Sequence, residues 1–338
     1  IMPSVSFICC WCLFFILCKA VSSLDDGETS VSGSITLPVS PKNRPEDYLI
    51  NAASQGNMYE LKQALLAGAF IDAMDNNSGN TPLIWASFNG HIEIVRILLN
   101  KNADIEARSR DGNKNALLMS AYRGHVEILE YLLSRGALID SVNARGDTAL
   151  SLAAYMGHST IISSLLLRGA NVELKTRKNG FTALHFASYN GHLAVVEMLL
   201  TANADLHTLE SAGKNALMLA AMQGHCKVLA LLLSKGADPL TQDYRGMTAL
   251  MLAVLAHQLT CTHHLLQHHQ GSEMLELREH QGNTALLLAA SAGRVDIASA
   301  LILQGADFTV SNRQGQTALT IAKARNHTEM ASALQELL

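Results

Sequence analysis

The residues of this chain whose types and spacing come nearest to a metal site are Cys261, His264 and His268. Their spacing would place them along one face of a helix, and thiolate and imidazole are ligands that zinc accepts. Further histidines stand close by at His263, His269 and His280. However, Cys261 falls where other segments hold a core aliphatic residue such as Ile94, so its sulfur is expected to point inward. With no CxxC pair to complete the set, we predict no metal and no other cofactor, and keep a metal-binding protein as the less favoured alternative.

A second group of histidines recurs at equal spacing and points to a structural role. Gly-His pairs stand at 90/91, 124/125, 157/158, 191/192 and 224/225. A side chain that recurs in so many equivalent places is a poor candidate for a unique catalytic group. The sequence also has no phosphate-binding glycine loop, hydrolase nucleophile elbow or protein-kinase motif set. We therefore predict that the protein is not an enzyme.

The segments that carry these histidines are copies of one another. A Thr-Ala-Leu, Thr-Pro-Leu or Asn-Ala-Leu element begins at Thr81, Asn115, Thr148, Thr182, Asn215, Thr248, Thr284 and Thr317, in steps of 33 to 36 residues. A degenerate copy precedes them, with Leu49 and Gly56 in matching places. Each copy predicts two short helices, which cannot bury their apolar faces alone and need copies on either side. The period therefore predicts an all-α repeat solenoid of about nine units.

The repeated elements resemble the ankyrin repeat. The resemblance is carried by Thr81-Pro82-Leu83, by Thr182-Ala183-Leu184-His185, by the Gly-His pairs, and by Gly-Ala at 136/137, 169/170, 236/237 and 305/306. It covers roughly residues 45 to 338 and implies a stack of helix pairs joined by hairpin-like loops. The unit that begins at Thr248 departs most, because His257-Gln258 replaces Gly-His and its return is longer. The resemblance implies a module that binds other proteins, with the hairpin tips and the concave face of the first helices as the usual contact surfaces.

One column of large side chains is expected to line that concave face. The residues two positions before the Gly-His pair are Phe88, Tyr122, Tyr155, Tyr189 and Met222, followed by Leu255 in the divergent unit. Arg123 stands next to this column. Aromatic residues and arginine are favoured anchors of protein interfaces, so we predict contact with a partner protein here. The alternative is that the rings only pack between neighbouring first helices.

The hairpin tips of the early units are basic. They carry Arg108, Arg110, Lys114, Arg145, Lys175, Arg177 and Lys178, on a chain of net charge -4. Such a rim would steer an acidic surface of a partner protein, and we single out Arg110 and Lys178 as contacts. The alternative is a solvated rim that keeps the stack soluble. The overall charge balance does not favour a nucleic acid as a partner, and we expect a monomer.

The first residues of the chain follow a different pattern. Residues 5–18 form an uncharged apolar run that is shorter than the about 20 residues of a membrane span. Because small residues follow it, residues 1–22 are predicted to be a signal peptide; a retained hydrophobic anchor and a wrongly assigned chain start are the alternatives. Residues 23–44 are predicted to be a flexible linker. A cleaved signal would imply a secreted adaptor or effector, a retained run a membrane-tethered one, and neither a cytoplasmic protein.

Two cysteines lie in the predicted stack, Cys226 and Cys261, in neighbouring units. Stacked helices lie about 10 Å apart, whereas a disulfide needs Cα atoms closer than about 7 Å. We therefore expect both to be free thiols.

Overall fold

The computed structural model describes residues 44–268 and 270–336 of the 338-residue chain. The predictions for residues 1–22, for the linker before Arg44 and for His269 lie outside the described residues. Within them, the helices follow one another in pairs, which confirms the predicted repeat. No described helix has the length and apolar character to cross a membrane.

Nineteen helices are present in the described residues. They are α1 (Pro45–Gln55), α2 (Met58–Leu66), α3 (Pro82–Asn89), α4 (Ile92–Asn100), α5 (Ala116–Arg123), α6 (Val126–Ser134), α7 (Ala149–Met156), α8 (Ser159–Leu167), α9 (Ala183–Asn190), α10 (Leu193–Thr201), α11 (Ala216–Gln223), α12 (Cys226–Ser234), α13 (Ala249–Leu255), α14 (Leu259–Leu266), α15 (Gly271–Leu275), α16 (Ala285–Ala292), α17 (Val295–Leu303), α18 (Ala318–Ala324) and α19 (Thr328–Gln335). They form nine pairs, which we number as units one to nine. The extra helix α15 lies in the longer return of unit seven.

The first helix of each unit from two to nine begins where the sequence predicts. The side chain of the Thr or Asn that opens the element accepts a hydrogen bond from the backbone N–H three residues later, as Thr81 does from Ile84 and Asn215 from Met218. These bonds satisfy N–H groups that have no partner within the helix. In unit four the cap is reciprocal, because the Ser151 hydroxyl accepts from the N–H of Thr148 at 2.9 Å.

First helices pack against first helices of neighbouring units, and second helices against second helices. The close approach of the first helices depends on one fully buried small residue in each unit from two to nine. These residues are Ala86, Ser120, Ala153, Ala187, Ala220, Ala253, Ala289 and Ala322. The second helices add aliphatic residues, such as Leu98, Leu132 and Leu165, that have no exposed surface. The core is therefore one continuous layer shared by all units, as expected for a solenoid.

The hairpin-like tips are linked by single backbone hydrogen bonds. For example, the N–H of Arg177 donates to the carbonyl of Arg145 in the preceding tip at 2.7 Å, and the N–H of Tyr244 donates to Ala212 at 3.1 Å. The described residues contain no β-strand, only an isolated bridge between Ser311 and Thr317. The tips thus form a ladder with one rung for each pair of neighbours.

The two cysteines of the stack are bonded to each other, so the prediction of free thiols is wrong. Cys226 at the start of α12 and Cys261 in α14 form a disulfide, with their Cα atoms 4.9 Å apart. The prediction compared the distance between helix axes with a criterion for Cα atoms. Because Cα atoms lie about 2.3 Å from their axis, those on facing sides of two stacked helices come within about 5 Å of each other.

Candidate functional site

Five recurring histidines, and a sixth in unit nine, tie neighbouring units together. Nε2 of His125 lies 3.0 Å from the carbonyl oxygen of Phe88, and Nε2 of His192 lies 3.0 Å from that of Tyr155. Equivalent bonds join His91 to Ser54, His158 to Tyr122, His225 to Tyr189 and His327 to Ser291. The histidines are therefore structural, as predicted, and each bonds the first helix of the preceding unit.

This histidine ladder acts on the backbone of the column that was predicted to contact a partner. Four of its acceptors, Phe88, Tyr122, Tyr155 and Tyr189, belong to that column. Each bond satisfies a carbonyl near the carboxyl end of a first helix, where the intrahelical partner is missing. The ladder thus fixes where these first helices end and holds Phe88, Tyr122, Tyr155 and Tyr189 in register from unit to unit.

Two consecutive interfaces lack this bond. Between units six and seven, Gln258 takes the histidine place and makes no such contact with the carbonyl of Met222. Between units seven and eight the place belongs to Arg294. Here His257 of unit seven instead pairs with Asp296 of unit eight at 3.1 Å, on an exposed surface. The stack is therefore joined differently on either side of unit seven.

The predicted column lies on what we call the first-helix face, formed by Phe88, Tyr122, Tyr155, Tyr189, Met222 and Leu255. Tyr122 is buried, with 6% of its surface exposed. Phe88, Tyr155, Tyr189 and Met222 are half-buried, and Leu255 is exposed. All members of the column except Tyr122 thus keep an accessible edge.

Aromatic packing along this face is most extensive in units four and five. The rings of Tyr155 and Phe186 meet edge to face at 5.8 Å between centroids, and Phe181 packs on Phe186 at 5.1 Å and on Tyr189 at 6.5 Å. Edge-to-face contacts of this kind add stabilisation beyond that from the buried area of the rings, and they fix the orientation of the rings. Phe181 and Phe186 were not singled out from the sequence, although Phe181 directly precedes the cap of α9 and could have been found from that register.

In units three, four and six, the residue before the glycine that ends the first helix is exposed beside the first-helix face. Arg123 is exposed, and its guanidinium lies 4.9 Å from the ring centroid of Phe88 in the preceding unit. Met156 and Gln223 occupy the same place in units four and six and are also exposed. The side chains that a partner would meet first are therefore mixed, with one cation, one thioether and one amide.

Some cations of the basic tips pair with acidic side chains. Arg108 pairs with Glu106 at 3.3 Å and Lys114 with Asp111 at 2.9 Å. Arg110, Arg177 and Lys178 are exposed, as are Arg145 and Lys175. The exposed cations of units three to five thus lie along one edge of the stack, where surface charges act on approaching molecules more than on stability.

A further set of contacts between units was not anticipated from the sequence. Acidic side chains in the loop after a second helix accept from a backbone N–H of the next unit. Glu106 accepts from Leu138 at 2.8 Å and Glu173 from Asp205 at 2.8 Å. The same bond is made in units one and three, where Asp72 accepts from Asp104 and Asp140 from Asn171. These acids follow the period of the repeat, so the pattern could have been found from the sequence.

His185 is the one histidine of the family tetrapeptide, and it is buried. Its Nδ1 accepts from the N–H of Thr182 at 3.1 Å, so Nε2 carries the proton and donates to the carbonyl of Thr208 at 3.1 Å. Burial lowers the pKa of His185 to about 4, outweighing the opposite effect of the Thr208 carbonyl. The ring is therefore neutral in the folded protein at physiological pH.

The metal alternative finds no support in this geometry. Cys261 is bonded to Cys226 and so cannot act as a thiolate ligand. Among the described residues, no three His, Cys, Asp or Glu side chains stand close enough to hold a metal ion.

Comparison with protein-family models agrees with the architecture. A model of ankyrin repeats in three copies matches residues 36–109 and, in five overlapping segments, residues 117–337, and a model of many ankyrin repeats matches residues 89–133. The chain belongs to the ankyrin repeat family. No curated protein matches the chain. Ankyrin repeats are generally modules of protein–protein interaction, so the coarse function follows from the family, and the partner and the contact surface remain to be proposed.

Proposed function

We propose that this ankyrin repeat protein binds a partner protein through the first-helix face and the adjoining basic tips, without catalysis. The observation that carries the proposal is the register of that face. The histidine ladder holds the accessible edges of Phe88, Tyr155 and Tyr189 in one row.

A row of side chains that is already fixed in position is suited to binding a partner protein. Binding to a surface whose side chains are already packed costs little ordering, and aromatic rings contribute large contact areas. Arg123 adds a guanidinium that is positioned by the ring of Phe88. We include Phe88, Arg123, Tyr155, Tyr189 and Met222 in the contact surface through their side chains, and Tyr122 only as the buried support beneath it.

The basic tips would contribute mainly to the rate of association. Arg110 and Lys178 are exposed on the hairpin-like tips. Cations in such positions attract an acidic partner over about a Debye length, and their effect falls with added salt. An acidic surface on the partner is the complement that we propose.

The test replaces exposed side chains of the first-helix face by glutamate. The triple variant Arg123→Glu, Met156→Glu, Gln223→Glu should keep the fold. It should retain at least about tenfold less partner protein than the wild type, because the new carboxylates face an acidic surface of the partner. The measurement is quantitative mass spectrometry of proteins retained from native cell extract by the tagged full chain.

A matched control carries the same charge changes on the second helices. Lys101, Leu167 and Ser234 are exposed at or after the ends of α4, α8 and α12. The variant Lys101→Glu, Leu167→Glu, Ser234→Glu should retain the same proteins as the wild type. Circular dichroism melts of both variants check the fold. Equal losses in both variants, or no loss in either, would contradict the assignment of the first-helix face.

A further inference from the structure

The disulfide lies at the interface where the histidine ladder is interrupted. Among the described units, every interface from unit one to unit six has a histidine bonded to the preceding first helix. The interface between units six and seven has Gln258 in that place and no such bond. It is also the interface that Cys226 and Cys261 cross.

The position of the two cysteines suits a covalent replacement for the missing bond. Cys226 follows the histidine place of unit six directly, and Cys261 lies three residues after Gln258 in unit seven. Their Cα atoms are 4.9 Å apart, within the usual range for a disulfide. The disulfide thus joins α12 and α14 near their amino-terminal ends, next to the place where the histidine bond is missing.

The units that follow this interface are the least regular part of the stack. Unit seven has His257 at the glycine place with φ of 57°, and its return contains the inserted helix α15. The next interface also lacks the histidine bond and relies on the exposed pair of His257 and Asp296. Units seven to nine are therefore joined to unit six by packing, by the bond from Tyr244 to Ala212 and the ion pair of Lys214 with Asp243 at the tips, and by the disulfide, without a histidine bond.

We propose that the Cys226–Cys261 bond is a redox-sensitive latch, whose reduction selectively loosens units seven to nine. The disulfide acts on the state in which units six and seven have separated. It joins two residues that are 35 positions apart in the sequence, and it limits how far the two units can move apart. Units one to six keep the histidine ladder and are not affected.

The chemistry is thiol–disulfide exchange with a dithiol. One thiolate of the reductant attacks Sγ of Cys226, which is half-buried, and the fully buried Cys261 leaves as a thiolate and takes up a proton. The second thiol of the reductant then displaces Cys226. Two electrons and two protons pass to the protein, and the reductant closes into its own disulfide.

The experiment measures hydrogen exchange of the full chain by mass spectrometry, with and without dithiothreitol. In the oxidised protein, reduction should accelerate exchange of α13, α14 and α17 by about thirtyfold or more, a size typical of losing one disulfide. Exchange of α5 to α10 should stay within about twofold. The double variant Cys226→Ser, Cys261→Ser should exchange as the reduced wild type does and not respond to dithiothreitol.

A second variant separates the latch from a general loss of packing. Gln258→His introduces the residue that units two to six and unit nine place against the preceding glycine. In the reduced state it should slow the exchange of α13 and α14 relative to the reduced wild type. Two free thiols in the unreduced protein, or equal exchange in both redox states, would overturn the proposal. Partner binding is not part of this readout, so its failure is distinct from that of the proposed function.

Discussion

Replacing Gly157 by Ala should lower the free energy of unfolding by about 2 to 4 kcal/mol. Gly157 has φ of 80°, a region that costs an L-residue about 1–2 kcal/mol. A Cβ atom there would lie 2.6 Å from Nδ1 of His192 and 2.7 Å from its Cε1. The ring must move, and the bond from Nε2 to the carbonyl of Tyr155 is lost with it. Urea denaturation followed by circular dichroism measures the change.

Gly169 provides a matched control for this substitution. It has the same φ of 80°, but a Cβ atom there would have no neighbour within 4 Å. Gly169→Ala should therefore show the backbone cost alone, about 1 kcal/mol. The difference between the two variants reports the histidine contact. Equal destabilisation by both would contradict the structural role assigned to the histidine ladder.

Acidification from pH 7 to pH 4 should remove roughly 3 kcal/mol of stability through His185 alone. The pKa of His185 is about 4 in the folded protein, against an ordinary value of 6.5. Between pH 6.5 and pH 4, His185 is protonated in the unfolded chain but stays neutral in the folded protein. The contribution of the neutral ring is therefore complete above pH 6.5, is lost as the pH falls, and changes no further well below pH 4.

The comparison that isolates this effect uses His185→Met. Units six and seven have Met218 and Met251 at the same place, so the fold accepts this side chain. The variant loses the bonds of His185 to Thr182 and Thr208 but has no proton to bind. The difference in unfolding free energy between wild type and variant, measured at several pH values, should fall by roughly 3 kcal/mol from pH 7 to pH 4. A difference independent of pH would show that His185 is not held neutral by burial.

Much of the fold could be predicted because each unit repeats the same local signals. The Thr or Asn caps, the glycine turns and the helical spacing agree across the copies, and the structure confirms the repeat stack and the caps. The prediction of a structural role for the Gly-His histidines was also correct. Their acceptors were not predictable from one unit, because the bond of His192 to Tyr155 joins residues of different units.

The errors and gaps arise where neighbouring units meet. The Cys226–Cys261 bond was missed because the separation of helix axes overstates the separation of facing Cα atoms. The burial of Tyr122 depends on the side chains of both neighbours, whereas its position within the unit is the same as that of the half-buried Tyr189. The contact surface stays a prediction, because a repeat pattern describes how units pack and not what they bind.

Site-specific photo-crosslinking tests the proposed recognition surface most directly. A photoreactive benzoyl-phenylalanine replaces Tyr189 on the first-helix face or, as the control, Tyr131 in the second helix α6; both tyrosines are half-buried. The proposal predicts that a protein retained by the wild-type chain becomes covalently attached at position 189 and not at position 131. Attachment of that protein at 131 alone, with none at 189, would contradict it.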